Sequence, residues 1–314
     1  MSGLFNNFYY GKAGKADFTP EQLPENRVQL FFSMLRVRFG GLIGLNLIYL
    51  LFSLPTIIWS GVNILALMNV SGINFETGEI AADIASNNLI PTYIFQWMMG
   101  LVPCFMISSI GRMGLALPMR NWARDEHSFV SSDFKQAIQE NWKKALGLGL
   151  ISGISLFVGY IGYFYYSNLI VSSIFWVVPQ AMVVIFCALW WMSTMMAYPM
   201  AVTYDMGLGG IIRNSFIIVL ARLPFSVLFW GAPTFIPLLL LLMIPSSYVS
   251  LVLGIYYIMI GYALYQFMTI SFANSSFDRY LNPRIEGADV GKGLRDPAYN
   301  DEDDTVTDED IKNL

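Results

Sequence analysis

The sequence predicts an all-α, polytopic membrane protein with six transmembrane helices. Three observations carry that prediction. Of 314 residues, 55% are hydrophobic and only 13% are charged, whereas soluble proteins carry roughly a quarter charged residues. A chain this apolar cannot hide its side chains in one water-facing core. Runs of the ~20 apolar residues needed to cross ~30 Å of hydrocarbon occur six times, near 40–68, 90–111, 145–166, 170–200, 217–243 and 248–275. Finally, all 18 lysines and arginines fall in alternate connectors or their flanks. Basic residues gather on the cytoplasmic side of a membrane, so both termini are expected there.

Residues 1–39 form the first segment. Residues 1–26 are polar and aromatic without an apolar centre, and so read as no signal peptide. Lys12, Lys15, Arg27, Arg36 and Arg38 lie here, and Val28, Phe31, Phe32 and Leu35 form an apolar stripe. The spacing predicts an amphipathic elbow helix ahead of the first span. The membrane domain then covers 40–279.

Its first span holds Asn46, Pro55 and Asn63, with Gly40 and Gly44 spaced for close helix approach. The outside connector, about 70–89, carries Glu76, Glu79 and Asp83 and no base. Gln96 lies in the second span. The connector of about 112–144 brings Arg112, Arg120, Arg124, Lys135, Lys143, Lys144 and the lone histidine, His127. Within it Phe134, Ala137, Ile138 and Trp142 recur at helical spacing, predicting a second elbow helix at the membrane–water boundary. Ser131, Ser132 and Asp133 are placed to accept its free amides.

In the third span Gly149 and Gly153 repeat the small-residue spacing. A tight hairpin at Tyr166–Asn168 leads to the fourth span, with Pro179 and Gln180. The connector of about 201–216 holds Asp205, Arg213 and Asn214, and Leu208, Ile211, Ile212 and Phe216 predict a third elbow. The fifth span contains Pro224, Pro233 and Pro237, a turn at Pro245–Ser247 comes next, and the sixth span holds Gln266. Prolines inside spans are expected to kink rather than end them. Three elbows, each entering a hairpin, suggest a threefold helix–hairpin repeat. Residues 280–314 form an acidic cytoplasmic tail, read as disordered.

Several function classes are excluded or weakened. Ten of the acids lie from Glu286 onward, so the net charge of −4 describes the tail, and no nucleic-acid reading follows. Cys104 and Cys187 sit in apolar runs, which argues against a disulfide framework. His127 has no second histidine to complete a zinc site. Asp125, Glu126, Asp133 and Asp205 are the available acid–base groups, and they read as capping and partner-facing residues. Gly147-Leu148-Gly149 lacks the rest of a nucleotide fingerprint, and no Walker motif occurs, so any ATPase is a separate polypeptide. The middle portions of the spans hold no ionisable residue, which weighs against ion-coupled transport. Their amides, Asn46, Asn63, Gln96, Gln180 and Gln266, read either as interhelical hydrogen bonds or as a path for sugar hydroxyls. No cofactor is implied.

The stretches MSGLFNNFYYGK, RVRFGGLIGLNLIYLLFSLP, LALPMRNWARDEHSFVSSDFKQAIQENWKKA and AYPMAVTYDMGLGGIIRNSFIIVLARLPFSVLF, in this order, resemble the YesL-like family of bacterial membrane proteins. The resemblance spans about residues 1–280 and includes no catalytic signature. It implies a place in the bacterial plasma membrane beside an oligosaccharide ABC transporter. The acidic tail departs from it. The resulting expectation is a non-enzymatic accessory or regulatory subunit of a carbohydrate import system. Its expected partners are the lipid bilayer and ABC permease subunits or a sugar-binding protein. Arg120, Arg124, Asp125, Asp133, Asp205, Arg213 and Asn214 are the expected docking residues. The rivals are a permease or channel for a small neutral solute and a membrane-boundary enzyme. The EAA-type coupling loop of an ABC permease proper is not found.

Overall fold

The computed structural model describes residues 23–70, 89–244 and 246–295. Among them every regular element is helical: α1 (Arg27–Val37), α2 (Phe39–Val70), α3 (Leu89–Trp122), α4 (Val130–Ile170), α5 (Val177–Thr203), α6 (Leu208–Ala221), α7 (Leu223–Met243), α8 (Ser247–Tyr256) and α9 (Tyr262–Tyr280). A π-helical turn, Tyr257–Gly261, joins α8 to α9, and short 3₁₀ turns precede α5 and succeed α9. Six helical stretches are long and apolar enough to cross a membrane, with α8 and α9 together forming the sixth. The all-α, six-span architecture therefore stands.

Two of the three expected elbows are separate helices, and local sequence explains which. Between α1 and α2 the chain breaks at Arg38, ahead of Phe39-Gly40-Gly41. Between α6 and α7 it breaks at Arg222, with Pro224 in the first turn of the next helix, where a missing N–H costs nothing. The middle elbow is a correction. Residues 130–145 contain no glycine or proline, and nothing stops the helix, so elbow and third span fuse into one 41-residue α4.

The stripe on that elbow also faces elsewhere than expected. Phe134 and Ala137 are buried in protein, not lipid. The Phe134 ring lies so close to Gly114 that a Cβ there would meet it at 2.5 Å. Capping differs as well. The N-cap is Phe129, without a side-chain cap, while the Asp133 carboxylate accepts from Ser128 Oγ at 2.7 Å and Asn121 Nδ2 at 3.1 Å.

The second span likewise runs past its expected end. α3 continues through Pro103 and Pro118 to Trp122, which shortens the exposed connector to residues 123–129 and puts Arg112 inside a helix. The hairpin expected at Tyr166–Asn168 lies slightly later, after Ile170. Residues 281–295 of the tail are folded against the body through the ionic contacts of Asp289 and Lys292, which corrects the expected disorder for that stretch. Residues 296–314 and the connector 71–88 lie outside the described residues.

Packing is concentrated at the end of the bundle that carries the basic residues. The largest fully buried side chains, including Trp122, Tyr198, Phe267 and Phe277, all lie there. At the other end Val171 is 91% exposed and Phe175 81%, and α8 buries nothing fully. That distribution suits a surface bathed in lipid, where apolar exposure costs nothing. The α3–α4 pair forms the most extensive interface, and its glycines explain why. A Cβ at Gly149 would lie 2.7 Å from Met106 Cα, and one at Gly153 would lie 2.6 Å from Val102 Cα. Gly40 and Gly44 meet no neighbour within 4 Å, so the first glycine pair is not a packing site.

Candidate functional site

Two polar constellations emerge: a cavity inside the bundle and an ionic clasp at its basic end. The cavity, of about 620 Å³, is lined from all six spans. A smaller chamber of about 160 Å³ adjoins it and shares Tyr49, Phe105, Arg112 and Tyr262. Arg112 therefore stands between the two.

The guanidinium of Arg112 comes from α3, ten residues (about 15 Å at the helical rise) before the helix end at Trp122. Its Cζ sits 4.6 Å from the centre of the Tyr198 ring on α5, a cation–π distance. The remaining charged or polar neighbours that act on it are Tyr49 of α2 and Tyr265 of α9. Among the described residues, no carboxylate forms an ion pair with it.

A run of rings forms one wall of the cavity. Tyr49 meets Tyr262 at 5.6 Å, Tyr262 meets Tyr257 at 5.1 Å, and Tyr257 meets Tyr256 at 5.1 Å. Phe105 against Trp191, at 5.4 Å, forms another. Two buried donors at the cavity have no protein partner: Gln266 Nε2 and Trp191 Nε1. In the small chamber the hydroxyls are largely engaged, Ser109 with Ala145 O, Ser152 with Leu148 O and Ser108 with Thr56. The large cavity keeps the free donors.

The π-helical turn sets this geometry. An i→i+5 turn inserts one residue into a helix and rotates the residues beyond it, so that Tyr262 and Tyr265 line the same cavity as Tyr256 and Tyr257. It also frees backbone groups, and Asn46 takes them up. Its Nδ2 donates to Tyr257 O at 2.9 Å and Ile258 O at 2.7 Å, while its Oδ1 accepts from Ala263 N at 2.9 Å. The Asn46 side chain is fully buried, with both of its donors spent on the turn.

This corrects the expected path of amides. Asn63 bonds back to Trp59 O in its own helix, Gln180 ties Ser167 and Tyr163 O, and Gln96 is exposed on the surface. Of the five, Gln266 alone offers a free donor to the cavity. Arg112 was missed because it was counted with the connector. The signal was present in SSIGRMGLALPM, one arginine with apolar residues on both sides and no break between.

At the basic end the expected docking residues hold the chain to itself. The Glu126 carboxylate contacts Arg120 at 2.8 Å, Lys292 at 3.1 Å and Arg124 at 3.2 Å. Burial pushes its pKa up, but the hydrogen bonds from Arg120 and Lys292 and the field of the arginines outweigh that and hold it below the usual carboxylate range. Asp289 closes the ring through Arg124 and Lys292.

Arg27 pairs with Asp278 and donates to Ala123 O and Lys292 O, joining α1, the 123–129 loop, α9 and the tail. Asp125 has a left-handed backbone, φ 57°, and although the residue is exposed, partial desolvation of its carboxyl raises its pKa against the lowering field of Arg38. Gly293, at φ 84°, approaches so closely that a Cβ would lie 2.6 Å from Arg124 O. Tyr204 OH and Asn282 Oδ1 are 2.5 Å apart.

Of the seven expected docking residues, Arg120, Arg124 and Asp133 are thus engaged within the chain. Asn214 donates to Met206 Sδ, and Asp125, Asp205 and Arg213 are exposed. His127 is exposed with its ring on Phe129. No group that could hold a metal occurs among the described residues.

Comparison of the chain with protein-family models, curated proteins and solved structures finds no match.

Proposed function

We propose that this chain is a non-enzymatic membrane protein that binds a small polar solute between its six spans and serves a carbohydrate ABC import system as an accessory subunit. One observation carries the binding part. All six spans contribute to a single cavity whose lining combines aromatic rings with unpaired donors. Its volume falls in the range of ligand sites, about 300–1,000 Å³. Rings that pack on apolar faces and donors that read hydroxyls are what a sugar-like molecule requires.

The import connection rests on the sequence resemblance. So does placement in the bacterial plasma membrane, and the location of basic residues supports cytoplasmic termini. Docking is assigned to the exposed part of the basic end, around Asp205 and Arg213, because the arginines of the 119–124 stretch are engaged by Glu126 and Asp289. A permease for a neutral solute would draw on the same cavity; the sequence resemblance is what favours the accessory role over it.

The test is purification of the full chain from its own membranes in mild detergent, with mass spectrometry of what accompanies it. Enrichment of permease subunits or a sugar-binding protein is expected, and Arg213→Glu should reduce it at constant abundance. Recovery of no transport component, from membranes where sugar uptake is unaffected by deleting the chain, would overturn the reading.

A further inference from the structure

We propose that the large cavity is a site for a small hydroxylated monocarboxylic acid, with Arg112 as the residue that reads the carboxylate. This rests on the proposed solute-binding reading and narrows it from polar solutes to acids.

Charge is the first argument. Arginine remains ionised in proteins, and an ionised group inside a membrane segment is rare without a partner or a functional reason. The carboxylates Glu126, Asp278 and Asp289 are bound to other cations at the basic end, and none acts on Arg112. The contacts that Arg112 does make are with tyrosines. Ring faces and neutral hydroxyls moderate a positive charge without neutralising it. A ligand carrying one negative charge would complete the balance.

Charge number and shape choose the kind of anion. The planar fork of a guanidinium matches the two oxygens of a carboxylate. A phosphate monoester brings about −1.5 to −2 at neutral pH, which one arginine does not neutralise. The two other free groups, Gln266 Nε2 and Trp191 Nε1, are both donors, so they suit hydroxyl oxygens beside the acid. Gln266 is only 2% exposed, so its donor has no bulk water to turn to. The tyrosine wall and the Phe105–Trp191 pair supply flat faces for a ring or carbon chain.

The experiment uses the purified full chain in nanodiscs of phosphatidylcholine alone, so that no lipid carries a competing net charge. Calorimetric titrations with D-galacturonate, D-galactose and inorganic phosphate are compared. Galacturonate is expected to bind at least tenfold more tightly than galactose, with phosphate weaker than either. Arg112→Gln should weaken galacturonate on the order of a hundredfold, the usual scale for removing one partner of a buried charge pair, so that the preference for the acid over galactose is lost. Arg112→Lys should recover part of the loss.

Should Arg112→Gln fail to fold, the wild-type comparison of acid with neutral sugar decides by itself. Equal binding of acid and sugar would overturn the acid assignment while leaving solute binding intact. Binding of neither would overturn both. Loss of galacturonate binding when phosphatidylglycerol is added would assign the site to a lipid headgroup and overturn a soluble ligand.

Discussion

Asn46→Leu tests whether a single amide sets the shape of the cavity. Leucine has the same branched heavy-atom skeleton as asparagine but offers no polar atom. The substitution would leave Tyr257 O, Ile258 O and Ala263 N–H without the partner they now share, at a position with no exposure to solvent. An unsatisfied buried backbone group costs about 1–3 kcal/mol, which gives up to ~6 kcal/mol allowing for partial relaxation. Interhelical hydrogen bonds in membranes average only about 0.6 kcal/mol, which gives a floor near 2 kcal/mol for the three. The expected destabilisation is therefore about 2–6 kcal/mol, read from unfolding in mixed micelles of mild and denaturing detergent by tryptophan fluorescence. Ser53→Ala is the control. That hydroxyl bonds only to Leu50 O in its own helix, so less than ~1 kcal/mol is expected. An Asn46→Leu protein within ~0.5 kcal/mol of wild type would refute the reasoning, because the helix would then have resumed an ordinary α path without needing the amide.

Gly153→Val should destabilise the α3–α4 pair by about 1–3 kcal/mol or more, since the obstructing atom is backbone at 2.6 Å, whereas Gly44→Ala should be near neutral; similar effects at both sites in the same unfolding assay would contradict the packing described. The Glu126 carboxyl is held below its ordinary range, so its contribution is present above that range and lost as pH falls through the lower folded value. Protection of residues 281–295 against hydrogen exchange, relative to the intrinsic rate at each pH, should accordingly be kept at pH 6–7 and lost below about pH 4, near and under the unperturbed glutamate value. Loss of protection already at neutral pH would rule out the ionic clasp. For orientation, His127→Cys in a background of Cys104→Ser and Cys187→Ser should react with an impermeant thiol reagent only after lysis, and Gly78→Cys from outside. External labelling at His127→Cys would invert the topology.

Much of the fold was legible because each span is a long, nearly uninterrupted apolar run, and length alone sets that signal. The existence of elbows α1 and α6 was legible too, but the end of α6 was not: the span expected from 217 begins only at Leu223, after the break at Arg222 and with Pro224 in its first turn. The fused α4 was not. A stripe such as Phe134, Ala137 and Ile138 is the same whether it faces lipid or a neighbouring helix, and periodicity carries no information about which. The glycine pairs make the same point: identical spacing at Gly40/Gly44 and Gly149/Gly153 meets open space in one case and backbone in the other. The candidate site was the least legible part. Its tyrosines come from three distant stretches and depend on a π-helical turn that Tyr257–Gly261 does not announce. An amide within an apolar run marks Asn46 in the sequence, but only the fold assigns it to holding that turn.

The distribution of order bears on how such a site would work. The basic end is closed by the large buried side chains, by Arg27 bridging four segments and by Glu126 collecting three cations. Arg222 adds a lock there, donating to Ser276 at 3.0 Å with its guanidinium over Phe272. At the opposite end the helices bury little, and the α7–α8 turn is joined to the rest mainly through its own neighbours. Segments with few buried contacts open at the smallest free-energy cost. Tyr256, Tyr257, Trp230 and Thr234, which line the cavity from α7, α8 and the π-helical turn, belong to that loosely held end, whereas Arg112, Tyr49 and Tyr198 belong to the closed one. A solute would thus meet a fixed charge and a movable wall. Preorganised groups lose little entropy on binding, so the firm end supplies affinity while the α7–α8 hairpin supplies access. On this division, changes that loosen the hairpin should alter the rates of entry and exit, and changes at Arg112 should alter the equilibrium.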